Sequence, residues 1–175
     1  DGTSSGIIKL GADVVTGGGA VSFDGPTLLT ANSLVTTAGA AITFSSTLDG
    51  GFNLGLTAGT TVNSNISFGG AVGGLARLGA ITINSANNVS ALAIDAASLT
   101  QTTGNGVTTF SGAQDYNTGA GLNVTANKIV LSKGVVTSGG GGVTLNATAA
   151  ATDALKIVAD GDINSDGAVS LTGTG

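Results

Sequence analysis

A Ser or Thr followed by Phe returns along the chain at a nearly constant interval. The four copies place the ring at Phe23, Phe44, Phe68 and Phe110. The first two gaps are nearly equal, and the last gap is twice as long as the first. A return at this interval is typical of solenoids, in which one coil per repeat stacks on the next. The spacing therefore indicates a repeat protein with coils of about 21 residues.

The period also predicts which side chains face inward. Extended from the third copy of the motif, it predicts an inward-facing column through Val89, Phe110 and Leu131, all of which are apolar. The next step falls on Thr152, a polar residue that does not fit an apolar column. We therefore expect an insertion or a change of register within residues 139–153.

Short alternating runs of apolar and polar residues fill most of the chain, and examples are residues 61–63, 66–68, 107–110 and 128–131. The rest is dominated by Gly, Thr, Ser, Asn and Val, which favour strands or compete with helix through local hydrogen bonds. We expect an all-β fold, a parallel β-helix of about eight coils. An antiparallel sandwich or barrel would also give many short strands, but it would not require a return at a fixed interval.

The pattern predicts one β-solenoid segment over residues 1–175, regular at 20–138 and less regular at 139–175. Both ends of the sequence interrupt the repeat, and no charged and apolar leader precedes the first repeat. We therefore expect a fragment of a much longer repeat protein.

Composition limits the classes of function. The charged fraction is 9% and the net charge is −5, while Leu, Ile, Val and Phe supply about a quarter of the residues, so a folded chain is expected. The five cations are scattered, which argues against nucleic acid as a partner. No apolar run is long enough for membrane insertion. Without His or Cys, the common nucleophilic triads and thiol chemistry are excluded.

The coil motifs resemble a known family of repeats. They occupy residues 41–44, 48–54, 66–74, 79–83 and 108–113. These stretches resemble the repeat region of filamentous-haemagglutinin-like adhesins exported by two-partner secretion, and of related giant bacterial surface proteins. The resemblance implies a right-handed parallel β-helix in an extracellular or cell-surface protein that acts in adhesion or biofilm attachment.

The resemblance covers the shaft of such adhesins, because the Asn-Pro-X-Gly motif of the family's secretion domain does not occur here. It implies a structural shaft that presents or spaces adhesive regions. A host surface, a neighbouring cell or a glycan would then be contacted through other parts of the parent protein. We expect no catalytic residue and no cofactor.

Two alternatives stay open. An uncapped solenoid end exposes unpaired strand groups that can template another copy, so the chain could be a filament subunit that associates end to end. The second alternative is a carbohydrate-active β-helix enzyme. Asp95 and Asp115 lie nearly one coil apart in the sequence and could stack as paired carboxylates. Arg77, the only arginine, is expected to be a solvated outward residue.

Residues 160–167 form the densest polar cluster. Within it, Asp162, Asn164 and Asp166 match the first half of a calcium-binding loop, which also needs a bidentate acid at its twelfth position. That position is Gly173. The main interpretation is therefore a turn between coils without a metal, and calcium at these three residues is the alternative.

Two Thr-x-Thr pairs occur, at Thr100 with Thr102 and at Thr172 with Thr174. Ice-binding solenoids need such pairs on every coil, aligned into a ladder. Because two isolated pairs do not make a ladder, no such surface is expected.

Overall fold

The described chain is a series of short strands joined by turns and arranged in coils. The computed structural model describes residues 6–158 and 160–174, and the repeat interruption expected at residues 1–5 lies outside them. Within this part of the chain there are 21 strands and no helix, hence none that could cross a membrane. Every strand pairs in parallel with strands of neighbouring coils. The predicted parallel β-solenoid is confirmed.

The strands follow one another at short intervals. In chain order they are β1 (Ile8–Leu10), β2 (Val14–Thr16), β3 (Val21–Phe23), β4 (Thr27–Leu29), β5 (Ser33–Thr37), β6 (Ile42–Phe44), β7 (Leu48–Asp49), β8 (Leu54–Thr57), β9 (Ile66–Phe68), β10 (Leu78–Ser85), β11 (Val89–Ala91), β12 (Ile94–Gln101), β13 (Val107–Phe110), β14 (Gln114–Tyr116), β15 (Leu122–Ala126), β16 (Lys128–Leu131), β17 (Val135–Thr137), β18 (Val143–Ala147), β19 (Leu155–Ile157), β20 (Ile163–Asn164) and β21 (Val169–Gly173).

These strands form three faces. The first face contains β1, β4, β7, the start of β12, β14, β17 and β20, and isolated bridges through Val72 carry it across the fourth coil. The second face contains β2, β5, β8, β10, the end of β12, β15, β18 and β21. The third face contains β3, β6, β9, β11, β13, β16 and β19.

Seven coils are complete, one fewer than the eight expected. The difference arises because residues 160–174 supply only β20 and β21, two strands of a further turn. The coils nevertheless share one interior. Their inward side chains form a continuous apolar core from Leu10 to Ala154. Because each coil buries its apolar side chains against its neighbours, no single coil has a core of its own.

The phenylalanine motif forms the core of the third face. Phe23, Phe44 and Phe68 are consecutive partners in register. The centroid of the Phe44 ring lies 4.7 Å from that of Phe23 and 5.6 Å from that of Phe68, with the rings nearly parallel. Offset stacking of this kind adds to the energy of apolar burial. The regular spacing of the motif thus reflects ring-on-ring packing between coils.

The fourth member of this column is not the predicted one. Ala91 pairs with Phe68 below and Phe110 above, whereas Val89 pairs with Ile66 and Thr108. Val89 is still buried, with 2% of its surface exposed. The prediction was wrong by two positions, because the coil that joins Ile66 to Val89 is two positions longer than the period. A small side chain therefore separates Phe68 from Phe110.

The expected irregularity near the end of the chain is confirmed. The paired residues of β15 and β18 are separated in the sequence by the period of the motif. The paired residues of β16 and β19, on the third face, are separated by a longer stretch. The extra residues therefore lie within 148–154. A second long step joins Leu54 to Ile81. The strand predicted at 61–63 lies inside that excursion and is a turn, closed by a 2.9 Å bond from the Ser64 amide to the Thr61 carbonyl.

Candidate functional surfaces

The first face brings together the two aspartates that were expected to stack. Asp95 in β12 and Asp115 in β14 are direct partners in the parallel register, and both side chains are half-buried. Each projects outward because the residues on either side of it are buried in the core. The two aspartates therefore stack on adjacent coils, as their separation in the sequence predicted.

One of these acids is already engaged. The Arg77 guanidinium lies 3.1 Å from the Asp115 carboxylate, and its Nη1 donates to the carbonyls of Ala96 at 3.0 Å and of Asp115 at 2.9 Å. Its side chain is 31% exposed. The expectation of a solvated Arg77 was therefore wrong, because three acceptors on the first face hold the guanidinium against the coils. Arg77 acts as a clamp between the fourth, fifth and sixth coils.

The loop that carries Arg77 is fixed from below. The buried Asp49 carboxylate accepts the amides of Leu75 at 2.8 Å and Ala76 at 3.1 Å. Gly73 has a φ of 76°, and a Cβ there would overlap the Asp95 carbonyl, so only glycine fits. The backbone and two side chains therefore hold the loop at a defined position over the first face.

A buried polar pair lies behind the acids. The Tyr116 hydroxyl donates to Oε1 of Gln114 at 3.0 Å, and Nε2 of Gln114 donates to the Leu92 and Gly112 carbonyls, both at 2.8 Å. Burial raises the pKa of Tyr116 far above its usual range, and the nearby charges of Asp115 and Asp95 raise it further. The alternation of apolar residues does not predict this pair, because its polar residues occupy inward positions. The one tyrosine of the chain was the available signal.

The calcium candidate does not form a simple turn. Asn164 lies in β20, and Asp162 and Asp166 flank that strand; all three are exposed. The Asp166 carboxylate accepts the Gly140 amide of the coil below at 2.7 Å. Among the described residues, no three or more His, Cys, Asp or Glu side chains come close enough to share a metal. Calcium at these residues stays an untested alternative.

Two further ion pairs join consecutive coils. Lys128 pairs with Asp153, and Lys133 lies 2.6 Å from Asp160. The hydrogen bonds and charges of the two lysines lower the pKa of both exposed carboxyls. Together with Arg77, three of the five cations are therefore satisfied within the chain.

The second face contains an ordered array of polar side chains that the repeat period does not predict. The outward residues of five successive turns are short, uncharged and polar. The first column runs in register through Thr82, Thr100, Asn123, Thr144 and Ser170. The second column runs two residues later, through Asn84, Thr102, Thr125, Asn146 and Thr172. We call these ten positions the polar ladder.

As expected, the two Thr-x-Thr pairs do not stack on each other, but one of them belongs to this broader array of short polar side chains. Thr100 and Thr102 are continued on the following coils by pairs in which Asn or Ser replaces one threonine. Thr172 belongs to the ladder with Ser170, whereas Thr174 leaves it and donates to the Ala149 carbonyl at 3.0 Å. A search for one residue type cannot find a column whose members alternate between Thr, Asn and Ser.

The three faces thus differ chemically. The first face bears the ion-paired clamp, and the second bears the uncharged polar ladder. The third bears an outward column of mainly Ser and Thr that includes Ser22, Thr43, Ser67, Ser90 and Thr109.

No family model matches the sequence, and no curated protein or solved structure matches it.

Proposed function

We propose that the chain is a structural shaft segment of a secreted or cell-surface bacterial adhesin, where it spaces adhesive regions. The observation that carries the proposal is the continuous core, which links every coil to the next from Leu10 to Ala154. A coil rise of about 4.8 Å gives the seven coils a length of roughly 34 Å. A unit built in this way adds length in proportion to its number of coils.

The surface chemistry supports the same proposal. Arg77, Lys128 and Lys133 are used to fasten one coil to another. The buried Asp49 carboxylate fastens a loop in the same way. The extracellular bacterial setting is proposed from the resemblance of the coil motifs to adhesin repeats.

Electron microscopy of the purified chain tests the shaft. Tandem fusions of one, two and three copies should appear as separate rods whose length rises in equal steps, since coils stack at a fixed rise. Circular dichroism should show strand with little helix for every fusion. Compact particles whose size does not follow copy number would contradict the shaft.

A self-assembling filament subunit is the second candidate, and the last strand favours it. Val169 and Leu171 pair with the buried Val143 and Leu145 but are 48% and 46% exposed. In a purified chain of these 175 residues, such core positions would offer a surface on which the first coil of another copy could stack. Micrometre fibres of the single copy would support this candidate. Leu171→Lys should then abolish the fibres, whereas the outward substitution Ser170→Lys should retain them.

A carbohydrate-active enzyme is the remaining candidate, favoured by the stacked Asp95 and Asp115. Screening acidic polysaccharides for cleavage tests it. Cleavage that Asp95→Asn abolishes would support this candidate and contradict a purely structural role.

A further inference from the structure

The polar ladder has a regular two-dimensional spacing. Residues at equivalent positions of adjacent coils are about 4.8 Å apart along the axis, and residues two apart on one strand are about 6.6 Å apart across it. The direct register of β10, β12, β15, β18 and β21 keeps the first column aligned over all five turns. The ladder is therefore a repeating net of hydroxyl and amide groups.

Nine of the ten ladder side chains make no hydrogen bond within the described part of the chain. Among described residues, only Asn84 uses its side chain within the fold, donating to Thr57 Oγ1 at 2.9 Å. Polar side chains in the turns behave differently: Thr118 donates to the Ala97 carbonyl at 2.7 Å, and Asn65 accepts from Asn88 at 2.9 Å. The turn residues thus stabilise the fold, whereas the ladder directs its donors and acceptors to the outside.

The net is also stiff. Six of its ten members are threonine, a β-branched residue with few χ1 rotamers. The strands beneath are held by buried residues such as Leu99, Val124 and Leu145. Little side-chain entropy would be lost when such groups meet a periodic partner, because they are already in place.

The chemistry of the ladder limits the classes of partner that it can bind. In these five turns, the described second-face strands carry no ionisable side chain. Asp95 also lies in β12, but in the part of that strand that belongs to the first face. No aromatic ring lies on the ladder to stack against a sugar. An ionic partner and a stacked sugar ring are therefore disfavoured. What the ladder presents is a stiff, uncharged, repeating set of O–H and N–H groups.

We propose that the polar ladder binds the surface of ice, a partner that offers only a repeating net of water donors and acceptors. The side-chain oxygens and amides would take the places of water molecules at the crystal surface, and the threonine methyl groups would lie between them. This inference does not rest on the shaft proposal.

Ice-affinity partition of the full chain tests it. Ice is grown slowly from a dilute solution, and the protein retained in the ice is compared with that left in the liquid. The wild-type chain should be enriched in the ice. Asn123→Lys, which places a long charged side chain in the middle of the first column, should lose the enrichment. Thr100→Val, which keeps the β-branched shape and removes the hydroxyl, should reduce it.

Ser90→Lys on the third face is the matched control, because Ser90 and Asn123 are both exposed outward residues of strands. It should retain the enrichment, and circular dichroism should show the same strand content for all variants. Exclusion of the wild-type chain from ice would overturn the proposal, as would equal losses in Asn123→Lys and Ser90→Lys. Sedimentation with crystalline cellulose or chitin without enrichment in ice would also overturn it and assign the ladder to a polysaccharide.

Discussion

At the scale of single residues, Tyr116 reports directly on the integrity of the coils. Its raised pKa means that the folded state holds the phenol proton more tightly than the unfolded state does. The resulting stability is present below the unfolded pKa of about 10 and is lost as the pH rises above it towards the folded pKa. In an alkaline titration, phenolate absorbance should therefore appear only together with loss of the strand signal. Phenolate formation near pH 10 with strand structure intact would contradict the buried position.

Arg77 gives a second prediction at this scale. Arg77→Ala removes one ion pair and two hydrogen bonds to carbonyls, and should lower the free energy of unfolding by about 1–2 kcal/mol. Arg77→Lys should lose less stability than Arg77→Ala but remain below the wild type, because an ammonium lacks the planar fork that reaches several acceptors. Urea titration measures the change, with Lys9→Ala on an exposed position of β1 as control. Equal stability of Arg77→Ala and the wild type would show that the clamp is not formed.

At the scale of elements, β6 carries the middle ring of the aromatic stack, because it lies between β3 and β9 on the third face. Phe44→Ala removes the ring between Phe23 and Phe68, and should cost about 3–5 kcal/mol through lost burial and a cavity. Thr43→Ala on the neighbouring outward position should change stability by less than about 0.5 kcal/mol. Urea unfolding followed by circular dichroism compares them. Similar losses in both variants would contradict the inward and outward assignment of β6.

The elements also show what an apolar pattern can predict. Residues 66–68, 107–110 and 128–131 are strands with the bounds expected from alternation. β14 was not predicted, because Gln114 and Tyr116 place polar groups inward and satisfy them with hydrogen bonds that no pattern reveals. Val89 was assigned to the wrong column because the chain adds residues in turns, and the pattern of apolar residues does not show where turns lengthen.

At the scale of the whole molecule, the period of the phenylalanine motif was enough to predict a parallel solenoid. The candidate sites were harder to predict, because they depend on register between residues a whole coil apart, and the coils differ in length. The stacking of Asp95 on Asp115 followed from a separation close to one period. The polar ladder did not, since the sequence separation between its successive members changes from each coil to the next.

Stacking of coils in a single rod underlies both the shaft and the ladder, and distances between paired spin labels test it most directly. The chain has no cysteine, so labels can be placed at chosen sites. On the outward column of the third face, Ser22 is three coils from Ser90, four from Thr109 and five from Val130. The three label pairs should give distances of about 14, 19 and 24 Å, rising by one coil each time. Distances that fail to rise in equal steps, as in a sandwich that folds back on itself, would contradict the rod.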